Sequence, residues 1–252
     1  MNILEKIVEE KKNKINYLNQ KYKVKKKIKI KSKFIQNISE NNLDMKTSLI
    51  AEFKRFSPSI SEFKKIKHIK EIIIKYDEAD VTCISILTDK NFGGSINDIK
   101  IAKKYTKKPI IRKDFIIDHI QIYESALYEV DAILLIARIL TKNKLLELER
   151  YAHSYGLDVL IEIESKNDLL KIRDAKTQLI GINNRNLALQ NINIQKSILL
   201  ASKIKNKIIV SESGLTLRNI NLIKNNNIKT FLIGGSILNN KNISSYIKKI
   251  SK

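Results

Sequence analysis

Hydrophobic and polar positions fall into two regimes along the chain. In the first, "ILEKIVEEKKNKINYL" places apolar residues at 3, 4, 7, 8, 15 and 18. That spacing is close to 3.6 residues and predicts one amphipathic helix. From residue 47 the texture changes to short apolar runs: "SLIAEF" (48–53), "VTCISIL" (81–87), "PIIRK" (109–113), "DAILLIA" (131–137), "DVLIEI" (158–163), "QLIGIN" (178–183), "KIIVSES" (207–213) and "KTFLIGG" (229–235). Amphipathic segments such as "NKLLELERYAHSY" separate them. Continuous apolar strands alternating with helices predict a parallel sheet covered by helices. Eight such repeats fit an α/β fold of the (β/α)8 TIM-barrel type better than an open doubly wound sheet. No low-complexity linker divides the sequence. Residues 1–252 are therefore expected to form one barrel domain, with residues 1–46 an N-terminal helical extension, possible as a lid or plug over one barrel end.

Composition narrows the setting. A chain of 252 residues can bury roughly three quarters of its unfolded surface, so no disulfide or metal is needed to hold it. Its single cysteine, Cys83, lies inside an apolar run and reads as a small core residue. No apolar run reaches the ~18 residues of a membrane span, and charges begin at residue 5, unlike a signal peptide. A cytoplasmic protein without a membrane partner is expected. The net charge of +22 would ordinarily suggest nucleic acid. Here the excess is mostly Lys, not the base-reading Arg, and it is spread along the chain apart from "KYKVKKKIKIKSK" at 21–33. Abundant Ile, Asn and Lys beside 7 Gly, 2 Pro and no Trp point to an AT-rich coding bias. The charge is read as composition. A Lys-rich RNA or membrane-surface binder is the non-enzymatic alternative.

In a barrel the strand ends converge on one mouth, where chemistry is expected. Reading them off gives Glu52 and Lys54, Lys113, Glu162, Asn183 and Arg185, Ser211 and Ser213, then Gly234, Gly235 and Ser236. Residues 52 and 54 share a face. Charges aimed into an apolar barrel cost several kcal/mol unless paired or used. In "KPIIRKDFIID", Lys113 is thus expected at the mouth, with Arg112 and Asp114 pointing away or in the loop as an ion pair. Structural alternatives stand beside this: Glu52–Lys54 or Glu162–Lys113 as internal ion pairs, and Ser211 and Ser213 as helix caps. Six of the seven glycines (93, 94, 181, 214, 234, 235) fall at or past run ends or in a loop, as turns require or as three loops offering N–H groups to an anion would. The three histidines, 68, 119 and 153, fall on helices. No metal-ligand spacing is present, and no metal is expected.

Taken in order, "IAEFKRFSPS", "ISILTDKNFGGS", "IIRKDFIIDHIQIYES", "ILLIARIL", "VLIEIES", "IGINNRNL", "IVSESG" and "LIGGSIL" resemble the indole-3-glycerol phosphate synthase family over nearly the whole chain. The resemblance implies a cofactor-free barrel enzyme of tryptophan biosynthesis. It would close the ring of 1-(2-carboxyphenylamino)-1-deoxyribulose 5-phosphate with loss of carbon dioxide and water. Lys113 matches the general acid and Glu162 the general base. Glu52 and Lys54 match the first-strand pair, with Lys54 open between carboxylate, phosphate and oxyanion. Asn183 matches a polar orienter, supported by Arg185 and Glu212. Ser213, Gly214, Gly234 and Gly235 match the phosphate cradle, with Gly235 smaller than its counterpart in many members. Ser57 matches a first-loop residue near substrate, and Phe92, Phe115, Leu134 and Leu187 the apolar surface around the anthranilate ring. A small phosphorylated substrate is the implied partner; no oligomeric or pathway-enzyme partner is assigned. Phosphoribosylanthranilate isomerase, a neighbouring barrel, would need a Cys and Asp acid/base pair; here Glu52 and Lys54 end strand 1 and Cys83 lies within a strand.

Overall fold

The computed structural model describes residues 3–23, 26–56, 68–79, 81–186 and 190–251. The parallel strands β1 (Ser48–Phe53), β2 (Cys83–Leu87), β3 (Ile110–Lys113), β4 (Ala132–Ile136), β5 (Asp158–Ile163), β6 (Leu179–Asn183), β7 (Ile208–Glu212) and β8 (Thr230–Ile233) close into a barrel in sequence order, β8 pairing with β1. Two helices precede it, α1 (Ile3–Lys21) and α2 (Phe34–Leu43). The outer ring is α3 (Ile69–Glu78), α4 (Asn97–Ala102), α5 (His119–Leu127), α6 (Lys142–Ser154), α7 (Lys166–Lys171), α8 (Gln195–Ala201), α9 (Ile220–Lys224), α10 (Gly235–Leu238) and α11 (Ile243–Ser251). No helix among the described residues is long and apolar enough to cross a membrane.

The eight apolar runs are these eight strands because each is buried on both faces. Alternate residues enter two different cores. Leu49, Ala51, Ile84, Ile86, Ile133, Leu135, Ile180, Ile182 and Phe231 face the helices. Ile50, Cys83, Ile111, Leu134, Leu160, Leu179, Val210 and Leu232 fill the barrel interior. Cys83 is a fully buried core residue.

Among its described residues the N-terminal segment has two helices and, from residue 26, an extended stretch between them, and it reaches both ends of the barrel. Leu4 and Ile7 on α1 line a cavity at the mouth, and Leu18 packs on Ile120 and Tyr123 of α5. Ile30 N–H then donates to Tyr155 O at 2.7 Å, and Ser32 Oγ donates to Asp158 Oδ2 at 2.6 Å. In this stretch Ile28, Ile30 and Ser32 are half-buried while Lys27, Lys29, Lys31 and Lys33 are exposed, the period-2 alternation of extended chain. α2 plugs the opposite end: Phe34 and Ile38 are fully buried against the interior core.

Candidate active site

The first turn of each loop beyond a strand decides what reaches the mouth. Along β3 the side chains alternate, so Ile111 and Lys113 point inward while Arg112 goes out between sheet and helices. Arg112 is fully buried there. It donates to Asp114 Oδ2 (2.9 Å), Glu124 Oε2 (3.0 Å), Ser125 Oγ (3.0 Å) and Gln121 O (3.0 Å). Asp114 is also held by Lys11 of α1, whose amine lies 2.5 Å from Asp114 and 2.7 Å from Asp89. Burial raises the Asp114 carboxyl, but Arg112 and Lys11 outweigh it and hold it well below the carboxylate range. The same two carboxylates lift Lys11 against its own burial. Arg112 and Asp114 are thus an ion pair, as expected, here buried between sheet and helices and extended to fasten the N-terminal helix.

Inside the mouth, the odd strands contribute one charged layer, as alternate strands do in such barrels: Glu52 from β1, Lys113 from β3, Glu162 from β5 and Glu212 from β7. Lys113 Nζ sits among the other three, 2.9 Å from Glu212 Oε2, 3.3 Å from Glu162 Oε2 and 4.0 Å from Glu52 Oε2. Lys54 Nζ lies 2.5 Å from Glu52 Oε1. Asn183 donates from Nδ2 to Glu162 Oε1 at 3.0 Å, and its own Oδ1 accepts from Arg185 N–H at 2.9 Å.

The charges tune one another. Burial alone would lower the Lys113 amine; Glu212, Glu162 and Glu52 together hold it well above its ordinary value. Glu52 is buried, which raises it, yet Lys54 and Lys113 bring it below the usual range. Glu212 goes the other way. Burial pushes it up to about 8, with Lys113 opposing and Glu162 and Glu52 adding to the rise. Three glutamates and the cations Lys54, Lys113 and Arg185 thus meet around one cavity.

These groups line one end of a cavity of about 490 Å³. Phe92 and Phe115, near-parallel with centroids 6.3 Å apart, form an apolar wall with Leu134, Leu4 and Ile7. Ser213, Gly214, Gly234, Gly235 and Ser236 line the cavity from the last two loops. Ser213 and Gly214 are both left-handed, with φ of 66° and 73°, which turns the chain across the mouth.

Several sequence expectations need correcting. Of Ser211 and Ser213, expected at the end of strand 7, Ser213 lines the cavity, but Ser211 lies outside the barrel, bonded to Asn184 and Ser197, and the inward strand residue is Glu212. A one-residue slip exchanges faces; once the closed barrel shows Val210 to be interior, alternation places Glu212 inward. Gly181 is within β6, not at its end, and Gly93 and Gly94 are not among the cavity residues. Two glycine loops, not three, therefore border the cavity. Ser57 and Leu187 lie outside the described residues. Leu4, Ile7 and Lys11 carried no sequence signal beyond helical periodicity.

Fold and site together define a (β/α)8-barrel enzyme with a lysine–carboxylate centre. Among solved structures, 3-hexulose-6-phosphate synthase from Salmonella typhimurium is similar in fold, with a TM-score of 0.66 at 14% identity over 81% of this chain and 96% of that one. The family model described as indole-3-glycerol phosphate synthase matches residues 4–250. Proteins of that name from Bacteroides thetaiotaomicron and Polynucleobacter asymbioticus are 42% and 38% identical, covering 76% and 81% of this chain and 75% and 78% of their own lengths. The Tryptophan biosynthesis protein TrpCF of Buchnera aphidicola is 38% identical over 99% of this chain and 54% of its own. The chain belongs to the indole-3-glycerol phosphate synthase family, carboxy-lyases of tryptophan biosynthesis.

Proposed function

We propose that the cavity binds 1-(2-carboxyphenylamino)-1-deoxyribulose 5-phosphate, with Lys113 as the general acid of ring closure. The reading is carried by the position of the Lys113 amine, half-buried among Glu212, Glu162 and Glu52 in the cavity. The anthranilate ring lies against Phe92, Phe115 and Leu134, with Ser57 and Leu187 assigned nearby by resemblance. The substrate carboxylate meets Lys54 and Arg185. The phosphate sits at Ser213, Gly214, Gly234 and Gly235, where barrels of this type often hold phosphate beside a short extra helix, here α10. Being remote from the reacting carbons, the phosphate supplies binding energy that holds the ring over C2.

The ring carbon bearing the carboxylate attacks the C2 carbonyl, and Lys113 donates its proton to the carbonyl oxygen as the carbon–carbon bond forms. Carbon dioxide leaves with its bonding pair returned to the ring. The C2 hydroxyl, protonated by Lys54, then departs as water while Glu162, oriented by Asn183, takes the proton from the ring nitrogen; loss of one proton from C1 and return of one to the nitrogen leaves the aromatic indole. Glu52 holds Lys54 in place, and Glu212 holds Lys113.

Residues 1–252 are proposed to work as one domain, 1–46 being an extension of the barrel, which the burial of Lys11, Phe34 and Ile38 against it supports. A cytoplasmic setting goes with this reading. The chain contains no tryptophan, so no protein indole underlies the emission of the indole product. Emission should rise together with carbon dioxide release. A crystal with product should place its phosphate on the last two loops; a phosphate found elsewhere overturns the subsite assignment.

A further inference from the structure

Glu212 is fully buried. Its Oε2 is the nearest carboxylate oxygen to Lys113, while its Oε1 has no hydrogen-bond partner among the described residues. Lys113 holds one oxygen of this carboxyl, and what fixes the other is steric. Gly181, on the neighbouring strand, supplies the shape: a Cβ added there would fall far inside the 3.0 Å that real Cβ contacts keep, against Glu212 Oε1, with Leu160 Cδ1 at 3.3 Å behind. The backbone of Gly181 does not call for glycine, since it is not among the positive-φ residues. Gly181 is a regular β6 residue, in register with Glu162 on β5 and Val210 on β7. Glycine in a strand interior lacks packing and weakens the strand, so its presence marks a close approach, here by a carboxyl. Gly234 repeats the arrangement on the other side, where an added Cβ would meet Glu52. Gly181 within β6 and Gly234 just past β8 thus leave room for Glu212 and Glu52 of the charged layer.

We propose that Gly181 is a positioning residue, a notch that seats the Glu212 carboxyl and through it sets the Lys113 amine. This rests on the assignment of Lys113 as general acid. A Cβ at 181 meets the far end of a flexible side chain, so Gly181→Ala should fold and displace the carboxyl. Burial and the neighbouring carboxylates, which raise Glu212, would then act on a carboxyl turned away from Lys113.

The test is a double-mutant cycle of Gly181→Ala and Glu212→Ala, read by indole emission and by melting temperature. Gly181→Ala in the wild-type background should lower kcat by about 10- to 100-fold, the scale of a 1 Å misplacement, with a small change in KM and a displaced high-pH limb of the rate profile. In the Glu212→Ala background, where the space is empty, the same change should alter kcat by less than about twofold and leave the melting temperature unmoved. If Gly181→Ala fails to fold, adding Glu212→Ala should restore folding. Wild-type kcat in Gly181→Ala, or an equal penalty in both backgrounds, overturns the notch. An active Lys113→Ala variant would instead overturn the acid assignment, so the two failures are separable.

Discussion

The Lys113 amine lies closer to Glu212, at 2.9 Å, than to Glu162, at 3.3 Å. The expected acid and base do face one another, but a third carboxylate from β7 is the nearer partner. The charged layer is therefore a lysine held by three glutamates, which keeps Lys113 protonated until substrate arrives. On the proposed reading, a fixed ammonium would already stand beside the carbonyl oxygen as charge develops there and would need no reorganisation.

Replacing Lys113 by Ala should lower kcat by about 10²- to 10⁴-fold, the usual contribution of a general acid, with a smaller change in KM. Arg at 113 should not restore activity, because a guanidinium does not give up its proton. Steady-state rates from indole emission decide this; full activity in Lys113→Ala removes its role.

Glu212 makes stability depend on pH with a definite sign. Its folded value of about 8 lies above the ordinary 4.5, so between these values the folded chain binds more protons than the unfolded one. Stability from this group therefore falls as pH rises through that window. Glu212→Gln removes the proton uptake. Its melting temperature relative to wild type should climb steadily from acid pH to about 8; a flat difference across the window contradicts the assignment.

Lys11 joins the N-terminal helix to Asp89 and Asp114 in a buried site. Lys11→Met leaves two buried carboxylates short of a cation and should destabilise by about 3 kcal/mol at neutral pH. Asp114 is held below its ordinary value, so its stabilising contribution is present above that value and is lost as pH falls through the depressed one. The gap between variant and wild type should narrow in acid melts. Because Leu4 and Ile7 on the same helix line the cavity, KM should rise; an unchanged KM would separate the helix from substrate binding.

Gly235 has nothing within 4 Å of the place a Cβ would take, although it borders the cavity. Gly235→Ser should fold without loss and offer the phosphate a further hydroxyl. One added hydrogen bond of about 1 kcal/mol corresponds to a KM some fivefold lower. A clearly raised KM would place the phosphate away from this loop.

The strands were legible because a barrel strand buried on both faces must be apolar throughout, as in "DAILLIA" and "DVLIEI". Glu52, Lys113 and Glu162 were legible for the converse reason: a charge at the end of such a run is costly unless used. Glu212 was harder to see from strand pattern, because "SES" offers three polar residues in succession and nothing local says which one faces inward. The resemblance marked it as a supporting charge; its contact with Lys113 needed the closed barrel. Arg112 shows the same limit in reverse. Its outward direction followed from alternation with Lys113, but its bonds to Glu124, Gln121 and Ser125 on α5 did not.

By itself the sequence determined the repeating strand–helix order, the ends at which charges collect and the blocks that resemble one family, because burial and periodicity act over a few neighbouring residues. Tertiary structure decided that Glu212 is the nearest carboxylate to Lys113, that Lys113 is raised and not lowered, and that the N-terminal segment meets both barrel ends. Those outcomes depend on distances between residues far apart in the chain, and Coulomb and steric energies are set by such distances, which only the closed barrel fixes.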